Sequence, residues 1–474
     1  MSATSSSSAS PSPSRPADRK RRTTRSDGVT LTWPGRTWDP AQSYAGDRAV
    51  LGTTERVGAE PAHRLIHGDG LEVIRSLAVD PGILGKVDLV YVDPPYASDR
   101  DYVAEARLDG AADGRVERTL AYEDRWSPRG GVGAYLDMLA PRLDALAGLL
   151  SPHGSIWVHV DWRASYLVRA ILDEVLGRDA FLNEIVWRRA PNLGRQATSG
   201  QFGRTLDTLV VYGRAKAKLR PPTRLEPIEP SAIRRDEEGR PFTSAPRGDY
   251  TDASIEKLDA EGRIHRTASG KVYIKYFLVP NAEGVLCRER RVDALWTDVA
   301  PLRHAPPAER SGYPTQKPRS LLERIVACAT EPGSIVVDSF AGSGTTGVAA
   351  QALGRRSILV DASPVALATA RTRLLREGAS FTVEQTPGAL VRPLDGMRVE
   401  RAGDTIRLCA PLEPLAWAVG TLAGTTFETL WHAERTLGTR ACAAATEAVV
   451  IAPEGHDLHV RVFADDGRVG TVEA

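Results

Sequence analysis

Cysteine is scarce in this chain of 474 residues: there are four, Cys287, Cys328, Cys409 and Cys442, and they are scattered. No Cys-x-x-Cys pair exists, so neither a zinc ribbon nor a disulfide framework is indicated, and a reducing cytoplasm fits. No apolar run is long enough to span a membrane. The opening stretch MSATSSSSASPSPSRPADRKRRTTR lacks the apolar core of a signal peptide. It is rich in Ser and Pro and ends on Lys20, Arg21, Arg22 and Arg25, the composition of a disordered tail. Net charge is also nearly absent, at +1, so any basic footprint for a polyanion must be local. His432, His456 and His459 have no metal-ligand company, and no metal site is expected. No internal repeat is visible.

Apolar residues make up 42% and charged residues 26%, which is enough for a sizeable core. The length suits one large domain with additions, or two to three domains. Strand patterns fall at 63–69, 87–92, 154–162, 181–189, 205–214, 334–338 and 356–361. Helical spacing falls at 70–78, 133–150, 165–177, 314–330 and 348–353, with a further helix opened by Ser363-Pro364. Strands alternating with helices predict an α/β fold, a doubly wound and mostly parallel sheet covered on both faces. Residues 28–60 read as irregular and 97–130 as a long loop. Residues 261–278 read as a hairpin turning at Ser269-Gly270, and the rest of 215–300 as irregular. Short alternating segments beyond 385 suggest a small β-rich appendage.

Two stretches carry chemistry. The first, GSGTTG (342–347), follows a strand and opens a helix, with Asp361 at the next strand end about 20 residues on, the layout of a dinucleotide-type turn. Glycine lets a ligand approach the helix N-terminus, and Asp361 can accept from a ribose diol. NAD, FAD and S-adenosylmethionine all bind such a turn. A P-loop is excluded, because no Gly-Lys-Ser/Thr follows. The second is Asp93-Pro94-Pro95-Tyr96, where a buried strand runs into two prolines that cannot donate to a ladder. A planar aromatic amine is a poor nucleophile because its lone pair is delocalised. A carboxylate and a fixed backbone carbonyl accepting its two N–H groups localise that pair, and an aromatic ring stacks on the base. Both turns follow strands, so both fall at the carboxyl edge of one sheet. A dinucleotide enzyme has no need of the second; a methyltransferase needs both.

With these motifs the sequence resembles the amino-methylating DNA methyltransferases, in the β group where the catalytic motif precedes the cofactor motif. Asp93–Tyr96 matches their Asp/Asn/Ser-Pro-Pro-Tyr/Phe/Trp, and Phe340-Ala341-Gly342-Ser343-Gly344 their Phe-x-Gly-x-Gly. GYPTQKPRSLLERIV (312–326), LIHGDGLEVIRSL, AYEDRW (121–126) and NEIVWRR are also similar to family text, over roughly 60–380. Ser339 departs from the family's usual Pro.

The resemblance implies a Rossmann-like fold with S-adenosylmethionine as cofactor. Phe340, Gly342 and Gly344 would shape its pocket, with Asp338 and Thr345 beside them. Asp361 would hold the ribose, Asp69 the adenine edge, and Thr315, Gln316 and Lys317 the methionine end. Asp93, Pro94, Pro95 and Tyr96 would hold a base flipped from double-stranded DNA. An Asp-initiated motif implies adenine N6, with cytosine N4 as the alternative. Carbon-5 cytosine chemistry needs a thiolate, normally in a Pro-Cys pair, and no cysteine here follows a proline. More distant alternatives are a nicotinamide-dependent oxidoreductase, a DNA-binding protein with a degenerate methylase fold, and an RNA substrate.

The expected organisation is a tail (1–27), a catalytic half (28–189), a target-recognition region (190–300), a cofactor half (301–384) and a C-terminal β-rich unit (385–474). Phosphate contacts are expected from Arg188, Arg189, Arg195, Arg204, Arg214, Lys216, Lys218, Arg220 and Arg224. His159 is expected to be a satisfied buried histidine, and Trp157, Trp162 and Trp187 core residues. A homodimer and a separate restriction subunit, within a restriction-modification system, are compatible with the resemblance, and no membrane partner is expected.

Overall fold

The computed structural model describes residues 30–40, 46, 48–107, 116–192, 200, 202–267, 269–389, 393–409, 415–434, 447–453, 456–464 and 466–474. The tail 1–27, Arg195 and Cys442 lie outside the described residues. In chain order the first strands are β1 Gly52–Val57, β2 His63–His67, β3 Val87–Val92, β4 Arg100–Arg107, β5 Val116–Asp124, β6 Leu150–Val160, β7 Phe181–Arg188 and β8 Leu206–Gly213. There follow β9 Thr223–Pro227, β10 Arg234–Arg235, β11 Pro241–Pro246, β12 Ile264–Arg266, β13 Val272–Pro280, β14 Leu286–Arg291 and β15 Leu295–Trp296. The remainder are β16 Ile335–Asp338, β17 Arg356–Asp361, β18 Phe381–Gln385, β19 Arg398–Ala402, β20 Thr405–Cys409, β21 Ala416–Ala423, β22 Thr426–Glu434, β23 Glu447–Val449, β24 His459–Phe463 and β25 Val469–Glu473.

Among the described residues, fourteen strands form one sheet, ordered β15-β7-β8-β6-β3-β16-β17-β2-β18-β1-β22-β21-β24-β25. Its centre, β6 through β18, is parallel throughout. Both faces of that centre are covered, which is why β3 is apolar at every position but Asp88. Val90 and Val92 pack with helices α1 (Gly70–Leu77), α2 (Val132–Leu149) and α3 (Ser165–Leu176). Leu89 and Tyr91 face the other way, onto Leu321, Leu322, Ile325 and Val326 of the helix Arg319–Ala329. A third cluster joins Leu65, Leu359 and Phe381 to the helix Pro364–Arg376. Ser363 caps that helix as expected, accepting from the Ala366 N–H, with Pro364 at its first turn. Pro318, by contrast, sits one residue outside the helix Arg319–Ala329, at its N-cap.

Several expectations need correction. Residues 97–130 are not simply a loop: β4 and β5 pair antiparallel over eight positions. Their polar, Arg- and Asp-rich text hides the strands, because only Ala104, Ala121 and Tyr122 of this two-stranded ribbon pack on the core, while Val103 and Leu120 are exposed, so no alternation is written. Residues 28–60 contain β1. Residues 215–300 hold the hairpin β12–β13, and also β9, β10, β11 and β14, which join it in one sheet. Of the β-rich C-terminal residues, β21, β22, β24 and β25 continue the central sheet, because β22 runs parallel to β1, while β19, β20 and β23 form a sheet of their own. The buried Glu55 on β1 accepts from Arg371 Nε at 2.8 Å and Nη2 at 2.6 Å, and from Thr429 of β22 at 2.8 Å.

Candidate functional site

The register of the sheet builds the site. Tyr91 on β3 sits opposite Asp338 on β16. Two residues further along each chain come Asp93 and Phe340, so both motifs leave neighbouring strands side by side. They line one cavity of about 780 Å³, including the open space at its mouth. Pro94, Pro95, Tyr96, Thr315, Gln316, Lys317, Asp338, Gly342, Thr345 and Asp361 line it too.

At one end, Asp93 Oδ1 accepts from the Tyr96 hydroxyl at 2.8 Å, and Oδ2 accepts from Lys317 Nζ at 2.5 Å. The Lys317 ammonium also lies 5.3 Å from the centre of the Tyr96 ring. Burial, and then the Asp93 charge, push the Tyr96 phenol far above its ordinary range, so Tyr96 remains a neutral donor. Each carboxylate oxygen keeps a second lone pair for an incoming N–H.

The segment after Tyr96 is held by a residue the sequence reading did not single out. The buried Asp124 accepts from the Ala97 N–H at 3.1 Å, the Ser98 N–H at 2.8 Å, the Ser98 hydroxyl at 2.6 Å and Trp126 Nε1 at 2.7 Å. Its only signal was its place in AYEDRW. Among the described residues, the three non-glycine residues with positive φ are Ala97, Asp99 and Thr315. Two follow Tyr96 closely and the third lines the cavity, so strain is concentrated here. The stacked Tyr102 and Tyr122 rings, 4.7 Å apart, line the same wall, and the hydroxyls of Tyr122 and Thr315 are 3.0 Å apart.

At the other end, Gly342 and Gly344 both have positive φ, +49° and +74°. A Cβ on Gly344 would fall 2.6 Å from Ala370 Cβ, and one on Gly342 would press on the Tyr313 ring at 3.2 Å. Only glycine leaves this cradle open. Asp361 Oδ2 accepts from the Gly342 N–H at 2.8 Å, and Oδ1 from the Ser363 N–H at 2.8 Å. Burial raises its carboxyl to about 6 against these hydrogen bonds. Asp338 accepts from the Phe340 N–H at 3.0 Å and the Thr346 hydroxyl at 2.5 Å, and burial raises it to about 7. The residues fit an S-adenosylmethionine: a glycine cradle for close approach, a buried carboxylate, Asp361, that could accept from a ribose, and Lys317 beside Asp93. When bound, that group supplies a sulfonium methyl for direct transfer.

Not every expected residue joins the cavity. Asp69 caps α1, accepting from the Leu71 and Glu72 N–H groups, and pairs with Arg142 at 2.5 Å. It is not in the cavity lining, and its carboxylate is spent on those contacts. Gln316 reaches the cavity but also fastens its own loop, accepting from Ser311 and donating to the Glu309 carbonyl. Thr345 accepts from Arg373 at 2.8 Å.

His159 is fully buried and satisfied, Nδ1 lying 2.9 Å from the Tyr91 hydroxyl and Nε2 3.3 Å from Asp207. Arg189 closes the chain on Asp207 at 2.7 Å. Trp157 and Trp187 are core residues. Trp162 is not: it is 48% exposed, because it lies beyond the end of β6 rather than within it. The basic strip is partly consumed internally, Arg189 on Asp207, Arg220 on Glu331 and Arg224 on Glu226.

Among the described residues there is no cluster that could hold a metal ion, and no helix is long and apolar enough to cross a membrane. The chain is similar to the type II methyltransferase M.EcaI of Enterobacter cloacae, 26% identical over 380 residues, covering 73% of this chain and 77% of that one. It is also similar to the Mod subunit of the type III restriction-modification enzyme StyLTI of Salmonella typhimurium, 24% identical over 66% of this chain. There it spans only 55% of the relative's length. Among solved structures, a DNA modification methylase of Thermus thermophilus in complex with S-adenosyl-L-methionine is 19% identical, covering 69% of this chain and 99% of that one, with a TM-score of 0.36. Residues 87–371, from the catalytic strand to the helix after Asp361, match the family model described as DNA methylase. The chain therefore belongs to the N6/N4 DNA methylase family, whose methyl donor is S-adenosylmethionine.

Proposed function

We propose that the chain methylates the exocyclic N6 of an adenine flipped out of double-stranded DNA. The observation that carries this reading is the Asp93 carboxylate, held between Tyr96 and Lys317 in the cavity that also contains Gly342 and Asp361. A flipped adenine amine donates to Asp93, its ring lies on Tyr96, and no strong base is required before transfer. The surplus proton leaves after the new N–C bond has formed, when the nitrogen is cationic and acidic. The Asp that opens the motif favours adenine over cytosine N4. In this reading the enzyme works in the cytoplasm, as a monomer or homodimer, and any restriction falls to a separate subunit.

Sequencing of modified bases in DNA from cells expressing the chain tests it. N6-methyladenine at one recurring sequence is expected, and its absence with Asp93→Ala. N4-methylcytosine in its place would overturn the choice of base, and unmodified DNA the activity.

A further inference from the structure

The carboxyl end of β6 carries a surface that the methyl-transfer site does not use. Val92 pairs with Val158, so Asp93 and His159 are level on adjacent strands, and Trp162 lies three residues beyond. β8 enters antiparallel beside this exit, with Val160 opposite Thr208. That places the segment Phe202–Leu206 next to Trp162.

The exposed Trp162 indole has the Arg204 guanidinium 4.1 Å from its ring centre and that of Arg163 at 5.1 Å. Tyr166, one turn along α3, is 63% exposed, and Phe202 is fully exposed. Arg204 is pinned from behind. Its carbonyl accepts from Arg189 at 3.1 Å, and Gly203 lies so close to Asn192 that a Cβ would collide with the Asn192 amide. Arg163, Arg188, Arg189 and Arg204 gather here against two buried carboxylates, Asp161 and Asp207, leaving the patch net positive.

A guanidinium lying over a ring keeps its N–H donors in its own plane, at its edge, where they suit a phosphate. A nucleotide drawn into the Asp93 pocket brings its own flanking phosphates to the mouth of that pocket. Resting on the DNA reading above, we propose that Trp162 and its two arginines form a clamp for the DNA backbone phosphates beside the flipped nucleotide. The indole supplies no base reading. It holds Arg204 in place and, together with the Asp161 carboxylate that pairs with Arg163, fixes Arg163, so the clamp adds affinity that is independent of sequence.

The test uses the full chain, labelled S-adenosylmethionine and a duplex oligonucleotide carrying the site mapped in expressing cells. Salt screens phosphate contacts with a slope of about −0.9 per neutralised phosphate in log–log form. Trp162→Ala is expected to flatten that slope by about one to two, and Arg204→Ala by about one. The DNA KM at moderate salt should rise about tenfold in Trp162→Ala, with kcat at saturating DNA and cofactor affinity unchanged. Trp162→Phe, which keeps a stacking face, and Tyr166→Ala should stay near wild type. A Trp162→Ala protein with the wild-type slope and KM overturns the clamp, and so does a slope unchanged while self-association is lost, which would mark the patch as a contact between copies. If Trp162→Ala melts early, Arg163→Ala and Arg204→Ala decide, and wild-type slopes in both overturn it. A wild-type chain that binds the duplex without methylating it would sink the proposed activity and leave the clamp to be judged by its salt slope.

Discussion

Lys317 Nζ lies 2.5 Å from Asp93 Oδ2, across 224 positions of sequence. Both side chains are largely shielded, 10% and 18% exposed, so the pair is worth more than a surface ion pair. A double-mutant cycle of Lys317→Met and Asp93→Asn in urea unfolding should give a coupling of about 1–2 kcal/mol. Additive effects would show that the pair contributes nothing. In catalysis the two separate: Asp93→Ala should cut transfer by at least about 10²-fold while S-adenosylmethionine still binds, because the lost acceptor acts on the amine alone. Normal turnover in that variant would remove Asp93 from the chemistry.

Gly344 has no room for a side chain, with Ala370 Cβ at 2.6 Å and Ala370 Cα at 2.9 Å from an added Cβ, and its φ is +74°. Gly344→Asp should therefore abolish detectable cofactor binding in calorimetry. Gly344→Ala should cost about 1–3 kcal/mol of stability, from strained backbone and contact together. Unimpaired cofactor affinity in the Asp variant would displace the cofactor from this turn.

The buried carboxyls of Asp338 and Asp361 are raised to about 7 and about 6, burial being the main cause in each. In the unfolded chain they ionise near pH ~4. Between those values the folded state holds more protons than the unfolded one, so this contribution to stability falls as pH rises from about 4 to 7. Asp338→Asn can keep both partners, since the Thr346 hydroxyl can accept as well as donate. Its melting temperature should fall less steeply than wild type between about pH 4 and 7. Parallel curves would mean that Asp338 is ionised throughout. On the proposed ribose contact, cofactor affinity should also weaken as pH drops below about 6.

Glu55 and Arg371 are both buried and bound by two hydrogen bonds, and Thr429 shares the same carboxylate. Removing one partner strands the other's charge. Arg371→Met or Glu55→Ala should each destabilise by about 3–5 kcal/mol, with the pair replaced together costing less than the sum. Denaturant melts measure this, and a loss below about 1 kcal/mol would contradict it.

The central strands and helices were legible because burial on both faces writes nearly unbroken apolar text, as in VDLVYV with Asp88 alone interrupting it, and because glycine and proline mark the turns that carry chemistry. Asp93 and Gly344 could be named for that reason. The pairing of β4 and β5 was not legible, since the ribbon meets the core only through Ala104, Ala121 and Tyr122, too few to write an apolar face. Nor was the continuation of the sheet past β1: the pairing of Glu55 with Phe427 is made by backbone groups, which leave no residue pattern. Trp162 was misplaced because apolar character says nothing of a position just beyond a strand end. Asp69, expected at the adenine edge from the family likeness, is absent from the cavity lining and caps the helix that opens at Gly70, and an acidic residue before a helix start is the ordinary signature of a cap.

The chain departs from β3 at Val92 and returns on its neighbour β16 at Ile335, with the register Val90 to Val337 fixing both. Between them lie β6, β7, β8 and β15 of the same sheet, and the strands β9 to β14 of a separate sheet form an excursion that begins after β8 and ends before β15, both of which pair with β7. Lengthening such an excursion costs only about 0.6 kcal/mol per doubling in closure entropy. On the proposed function, in which this excursion chooses the DNA sequence, it can be exchanged or enlarged while the distance over which a methyl group must travel stays the same.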